Sequence, residues 1–238
     1  MTVSSRPANA FLDLHCHSSA SFDSLARAED LVRVAAERGL THIAITDHER
    51  VDAAMRARDA APEGITVIVG EEIRTTGGDM IGLYLTEAVA PGMSPAATAA
   101  AIRAQGGLVG IPHPFDRFRK SGLHLAAAAA LDELARLADY LEVHNARVPF
   151  GDANTKSAEL AHRLGMPGVA ASDAHSTLEV GVAYTIAPGP IRSAEELRMA
   201  LGSADVVPGR ASYVVRALSP IAKAVNAARG NHRHAGVR

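Results

Sequence analysis

The chain has 238 residues, a formal net charge of −2, 47% hydrophobic and 21% charged residues. That is long enough for one large domain with a buried core, and too near neutrality to coat nucleic acid or an anionic membrane by bulk charge. Its single cysteine, Cys16, excludes an intrachain disulfide, no stretch approaches the roughly 20 apolar residues of a membrane span, and residues 1–10 lack the apolar core of a secretory leader, so the cytoplasm is the expected location.

In chain order, β-like apolar runs alternate with alanine-rich segments at helical spacing. The first run ends in Asp13-Leu14-His15-Cys16-His17, and residues 28–38 follow as a helix with Leu31, Val34 and Ala35 on one face and Gly39 at the C-terminal cap. A strand over 41–46 leads to Thr46-Asp47-His48. A helix over 51–60 is punctuated by Pro62 and Gly64 before the strand 65–69, which runs into Gly70-Glu71-Glu72. Residues 80–85 read as a strand, and 94–105 as a helix with Ser94 as N-cap, Pro95 in the first turn and Gly106-Gly107 as its stop. The run at 108–111 leads to Pro112-His113-Pro114. A helix over 123–139, a strand over 140–143, a helix over 155–164 and a strand over 168–171 bring the chain to Ser172-Asp173-Ala174-His175, and a strand over 182–187 and a helix over 193–201 close the series. Such βα repetition predicts a parallel sheet with right-handed crossovers, and seven or eight units suggest closure into a barrel. One domain is expected over 1–225, followed by a basic, flexible tail over 226–238 that carries Arg229, His232, Arg233 and His234.

In five places the apolar run precedes the polar cluster, so parallel strands would bring all five clusters to one end of the sheet. A His-x-His at a strand end projects both rings to one side, where one metal ion can take both, while Cys16 between them faces away as an apolar filler. A carboxylate after the buried run 65–69 is costly unless a cation accepts it, and Gly70 permits close backbone approach. Asp47 reads as an orienting partner of His48 or a backbone anchor. His42, His124 and His162 read as structural or exposed.

With the further motifs Ser21-Phe22-Asp23-Ser24 and Glu142-Val143-His144-Asn145, the sequence over about residues 11–187 resembles the PHP (polymerase and histidinol phosphatase) family of metal-dependent phosphoesterases. The resemblance implies an α/β fold, a distorted (β/α)7 barrel. It implies that His15, His17, Glu72 and Asp173 hold one ion, that Glu72 bridges to a second ion that also takes His113, and that Asp23, His48 and His175 form a third site. Glu72 is preferred to Glu71 because the family pattern is Gly-x-Glu. Several relatives place histidine where this chain has Asp79, which leaves the count at two or three divalent ions, of Mn, Fe or Zn. Membership of Asp79, Glu142 and His144 in the site stays open.

Such ions lower the pKa of a bridging water, supply hydroxide and neutralise the oxygens of a phosphoester. Asp173 and His175 are the candidate catalytic groups for proton transfer to the leaving alkoxide. Arg117, shortly after His113, and Arg147, after Asn145, are candidate phosphate-binding residues, with Arg119 and Lys120 equally readable as solvated charges. The expected partner is a small phosphorylated substrate, a nucleotide or a short oligonucleotide, and not a membrane. An aromatic content of 4% without Trp argues against an extended base-stacking channel. The alternatives are an amidohydrolase-type C–N hydrolase on a similar barrel, which would usually want a bridging lysine, and a non-catalytic metal-binding module. Oligomeric state is left open.

Overall fold

The computed structural model describes residues 9–116, 128–216 and 218–232. Its elements run β1 (Asn9–Cys16), α1 (Ala28–Glu37), β2 (His42–Ile45), α2 (Asp52–Asp59), β3 (Thr66–Thr75), β4 (Gly78–Leu83), α3 (Pro95–Ala104), β5 (Leu108–Ile111), α4 (Ala128–Ala135), β6 (Tyr140–Asn145), α5 (Ala153–Leu164) and β7 (Gly168–Ala171). Then follow β8 (Tyr184–Pro188), α6 (Ala194–Leu201), β9 (Asp205–Val207), α7 (Tyr213–Arg216) and α8 (Leu218–Ala228).

The strands form one sheet in the order β7-β6-β5-β4-β3-β2-β1-β8-β9. It curls until its ends meet, because a parallel bridge joins Cys16 to Ala174, just past β7, and the His17 N–H donates to the Ala174 carbonyl at 2.7 Å. The result is a nearly closed, distorted seven-stranded α/β barrel with β8 and β9 appended along β1. Pairing is parallel through β1-β2-β3 and β5-β6-β7, as the βα repetition implied. It is not parallel throughout: β4 runs antiparallel to β3 and β5, and β8 antiparallel to β1 and β9. For β4 the reason is the connection. Only Thr76 and Gly77 separate it from β3, and a parallel return needs a crossover of a dozen or more residues. The turn is closed by Thr75 Oγ1, which donates to the Gly78 carbonyl at 2.6 Å and accepts from the Gly77 N–H.

Two apolar layers hold the barrel. Inside, Leu12, Leu14, Ala44, Ile68, Ile81, Leu83, Leu108, Tyr140 and Val169 pack on one another, with Leu197 and Leu201 of α6 joining them. Outside, Ile43, Ile45, Val67, Val69, Val109 and Leu141 meet the apolar faces of the surrounding helices. Tyr140 is the register partner of Gly110 on the neighbouring strand β5, and its ring lies over that glycine, where a Cβ would be 2.3 Å from it.

The expected tail does not begin at 226. Helix α8 continues through Asn226, which is 2% exposed, and Asn226 and Asn231 anchor this segment to the backbone carbonyls of the loop after β1, with Asn231 donating to the Ala20 carbonyl at 3.1 Å. Nothing in its polar composition signalled this, since the anchoring groups are two asparagine amides rather than apolar side chains.

Candidate metal centre

Eight side chains converge at the C-terminal end of the parallel strands, in three overlapping groups whose ligand atoms lie within 4.8 Å of one another. The groups are His17, Asp23, His48 and His175; then His15, His17 and Asp173; then His15, Glu72 and His113. The same eight side chains were the candidate ligands named from the sequence, and the grouping differs from the one expected: His17 joins the group of Asp23, His48 and His175.

Local strand geometry brings them level. Glu72 lies within β3 rather than at its end, yet the bridge between His48 and Glu72 sets it opposite the residue just beyond β2. Gly70 makes the approach possible, since a Cβ there would meet Thr46 Cγ2 at 2.8 Å. In β1 the register with β2 slips between Asp13 and Cys16, so one extra residue is accommodated. Leu12 and Leu14 therefore face the barrel interior while Cys16, two residues on, packs outside, and His15 and His17 turn inward. His113 and Asp173 adopt φ of 29° and 54°, a left-handed conformation that costs side-chain-bearing residues about 1–3 kcal/mol and is tolerated where function demands the orientation.

Each ring is oriented by a neighbour. The His15 Nδ1–H donates to Glu142 Oε1 at 2.6 Å, and the His175 Nδ1–H to the Asp173 carbonyl at 2.8 Å. The His17 Nδ1–H donates to Ser21 Oγ at 3.2 Å, whose own hydroxyl donates to Asp47 Oδ1 at 2.7 Å. In all three the Nε2 lone pair is left for a cation. His15 Nε2 and His17 Nε2 lie 2.8 Å apart, with Glu72 Oε2 3.5 and 3.2 Å from them and Asp173 Oδ1 3.7 and 3.5 Å away. Asp23 Oδ2 stands 3.5 Å from His48 Nε2 and 3.4 Å from His175 Nε2, and His113 Nε2 is 3.3 Å from Glu72 Oε1.

Burial opposes charge on the His15 and His17 rings, but the surrounding carboxylates prevail. Glu142 and Asp173 hold His15 well above 6.5, and Asp173 and Glu72 raise His17 to about 9. Glu72 and Asp23 are likewise kept well below the usual carboxylate range, against burial, by the histidines facing them. His175 behaves oppositely: burial and then the Arg147 cation push it down to about 4. The residues fit divalent metal. Both Glu72 oxygens and Asp23 Oδ1 are buried and accept no hydrogen bond from the described residues, a costly state for a carboxylate that a cation relieves.

The remaining candidates divide. Glu71 points to the helix side, accepts from the Val89 N–H at 2.8 Å and is raised to about 7 by burial. Asp47 is a backbone anchor, bound by the Ser18 N–H at 2.7 Å and the Ser18 hydroxyl at 2.6 Å. Asp79 is buried opposite Arg74 in the β3–β4 register and belongs to none of the three groups. Arg147 pairs with Glu179 Oε1 at 2.7 Å and donates to Ser219 Oγ at 2.8 Å. Arg117, Arg119, Lys120 and His124 lie outside the described residues. His42 donates to or accepts from structural groups only, with its Nε2 2.8 Å from the Ile191 carbonyl.

A second register slip, between Glu142 and His144, decides the roles in β6. It lets Glu142 and Asn145 both face the centre, where Asn145 Nδ2 donates to Glu142 Oε2 at 3.0 Å and to Asp173 Oδ2 at 3.1 Å. His144 is turned away, with Nε2 2.7 Å from the Gly209 carbonyl. Glu142 and Asn145 thus position ligands, a role the sequence motif contained without revealing. Glu179, which accepts from the His175 N–H at 3.0 Å, carried no sequence signal.

A nearly closed α/β barrel with a buried cluster of histidines and carboxylates that could hold metal at the C-terminal ends of its strands defines the class. The PHP domain model matches residues 13–137 and a PHP-associated model matches residues 151–206. The chain belongs to the PHP family. Two Methanocaldococcus jannaschii proteins are similar: MJ1587, 35% identical over 46% of this chain and 70% of that protein, and MJ0417, 32% identical over 73% of this chain and 68% of that protein. A Symbiobacterium thermophilum error-prone DNA polymerase is 30% identical over 70% of this chain but only 19% of the polymerase. Among solved structures, a two-domain Bacteroides vulgatus protein containing a predicted PHP-like metal-dependent phosphoesterase aligns with a TM-score of 0.67 at 18% identity, over 85% of this chain and 66% of that one. Endonuclease Q, in complex with a 27-mer duplex bearing an abasic lesion, aligns with a TM-score of 0.63 at 16% identity, over 82% of this chain and 57% of the endonuclease. At those identities the likeness is one of fold.

Proposed function

We propose that this chain is a metal-dependent phosphoesterase that hydrolyses a phosphomonoester or a short phosphodiester, on a small phosphorylated metabolite, a nucleotide or a short oligonucleotide. The observation that carries the reading is the buried Glu72 carboxylate, without hydrogen-bond donors among the described residues, surrounded by His15, His17, His48 and His113. The polymerase and endonuclease Q likenesses support including nucleic acid among the substrates. A lysine-bridged amidohydrolase is disfavoured because, of the lysines among the described residues, Lys156 pairs with Asp152 and Lys223 Nζ lies over the Phe22 ring rather than between candidate ligands.

Divalent ions held by the eight residues would supply water of lowered pKa and positive charge for the phosphoryl oxygens. Asp23, His48 and His175 keep 7–9% exposure while the other five are at 0–2%, so the substrate approaches from their side. Asn145 donates to Asp173 Oδ2, and Asp173 Oδ1 lies 3.5 Å from His175 Nδ1, so we assign to this carboxylate the passing of a proton from the attacking water to the leaving oxygen. His175, pushed down to about 4, presents an unprotonated Nε2 at neutral pH. Glu142 and Ser21 keep the rings of His15 and His17 in the metal-binding tautomer.

The test is metal analysis of the purified protein on the sample used to assay an aryl phosphomonoester and a bis-aryl phosphodiester, with and without added Mn. Two or three ions with metal-dependent release of the aryl alcohol are expected. Full metal occupancy with neither ester hydrolysed would overturn the reading.

A further inference from the structure

Both matched family regions end by residue 206, yet the chain continues through α7 and α8, and α8 contacts the loop that carries Asp23 while Arg216 of α7 reaches the Ala146 carbonyl. Asn226 donates from Nδ2 to the carbonyls of Ser21, at 3.1 Å, and Ser24, at 2.9 Å, which flank Phe22 and Asp23. Those two bonds fix the backbone on either side of a candidate ligand. One turn earlier on α8, Lys223 Nζ lies 5.4 Å from the centre of the Phe22 ring, and Phe22 packs on His48 at 4.9 Å. Another turn back, Ser219 accepts from Arg147, whose partner Glu179 holds the His175 N–H. Positions 219, 223 and 226 share one helix face. That face therefore spans the group of Asp23, His48 and His175 from the His175 side to the Asp23 loop, on the side from which the centre is reached.

Arg216, at the end of α7, completes the wall. Its Nη2 donates to the Ala146 carbonyl at 2.8 Å, while Nε and Nη1 are buried with no hydrogen-bond partner among the described residues. Burial first, and then Arg147 and Arg210, disfavour its charge, while Tyr213, whose ring the guanidinium overlies at 5.1 Å, and Glu179, already paired with Arg147, favour it. A guanidinium with two buried, unused donors beside like charges is suited to an anion.

We propose that α7 and α8 form one wall of the active site, in which Asn226 positions the Asp23 loop for metal ligation and Arg216, with Lys223, binds the anionic part of the substrate beyond the reacting ester. The second half rests on the phosphoesterase reading for the charge of the substrate. The first half does not.

Asn226→Asp keeps the side-chain shape and removes both donors. In calorimetric titration of the full chain with Mn, it is expected to lose about one ion equivalent or to bind it at least tenfold more weakly, and Asn231→Ala, a milder loosening of the same loop, to weaken the same ion by a smaller factor. Wild-type stoichiometry and affinity in both variants would overturn the positioning role. For the anion, sulfate is titrated into metal-free protein: Arg216→Gln is expected to bind it at least tenfold more weakly, and in the Mn-loaded protein to raise KM with kcat within about twofold. Unchanged sulfate affinity in Arg216→Gln and Lys223→Gln would overturn that half. A wild-type protein that binds Mn and sulfate but cleaves no ester would sink the phosphoesterase reading while leaving the wall judged on its own titrations.

Discussion

Two adjacent glutamates on β3 meet opposite fates. Glu72 faces four histidines and stays ionised despite complete burial, whereas Glu71, one residue before it, faces apolar surroundings and Glu49 and is raised to about 7. A folded-state pKa above the ordinary 4.5 means that the contribution of Glu71 to stability is complete below pH 4.5 and is lost as pH rises through about 7. At ~1.4 kcal/mol per pKa unit, the loss by pH 8 is about 3 kcal/mol. Glu71→Gln, which keeps an acceptor for the Val89 N–H, is expected to melt higher than wild type at pH 8 and at the same temperature at pH 4.5. Equal melting temperatures at pH 8 would show that the ionised carboxylate is not confined. Asp173 offers a cleaner test of chemistry, since asparagine tolerates its φ of 54° and preserves its size. Asp173→Asn is expected to reduce ester hydrolysis by about 10²–10⁴-fold with the circular dichroism spectrum retained, and a wild-type rate would remove Asp173 from the mechanism.

At the level of elements, the hydropathy pattern located strands well and said little about their direction. The strand at 168–171 is found at those bounds, the run 41–46 encloses β2, and Ser94 caps α3 by accepting from the Ala97 N–H at 3.3 Å. Apolar alternation reports burial, so the reversal of β4 escaped it and became visible only as the two-residue link to β3. The register slips in β1 and β6 escaped for the same reason. Strict alternation groups Glu142 with His144 and separates it from Asn145, whereas the slip in β6 reverses both relations. The eight clustered side chains were legible because histidines and carboxylates at the ends of apolar runs have few other reasons to be there. Their supporting residues were not, because Ser21, Asn145, Glu179 and Asn226 are ordinary polar types whose role exists only in three dimensions. Gly110 tests the interior packing. Gly110→Ala would set a Cβ 2.3 Å from the Tyr140 ring, and a loss of about 1–3 kcal/mol in denaturant unfolding is expected, largely recovered in the double variant with Tyr140→Leu. A single variant as stable as wild type would mean that the Tyr140 ring does not lie over its cross-strand neighbour Gly110.

For the molecule as a whole, the metal centre concentrates Asp23, Glu72 and Asp173 in one buried cluster whose charge the fold alone leaves partly uncompensated. Chelation is therefore expected to lower the melting temperature, and Mn at about 100-fold over its Kd to restore about 2.7 kcal/mol. A melting temperature indifferent to chelator would mean that the cluster does not hold ions in the folded state. The bridge between Cys16 and Ala174 adds a matter of timing. Cys16 and Ser172 are 156 residues apart, so the histidines made first during synthesis wait for the last barrel strand before their site exists. An ion bound there ties the two ends of that long loop together and favours the closed barrel over any partly folded chain. An occupied centre would then act as a latch on the closed barrel, with the order of metal uptake set by completion of the last strand.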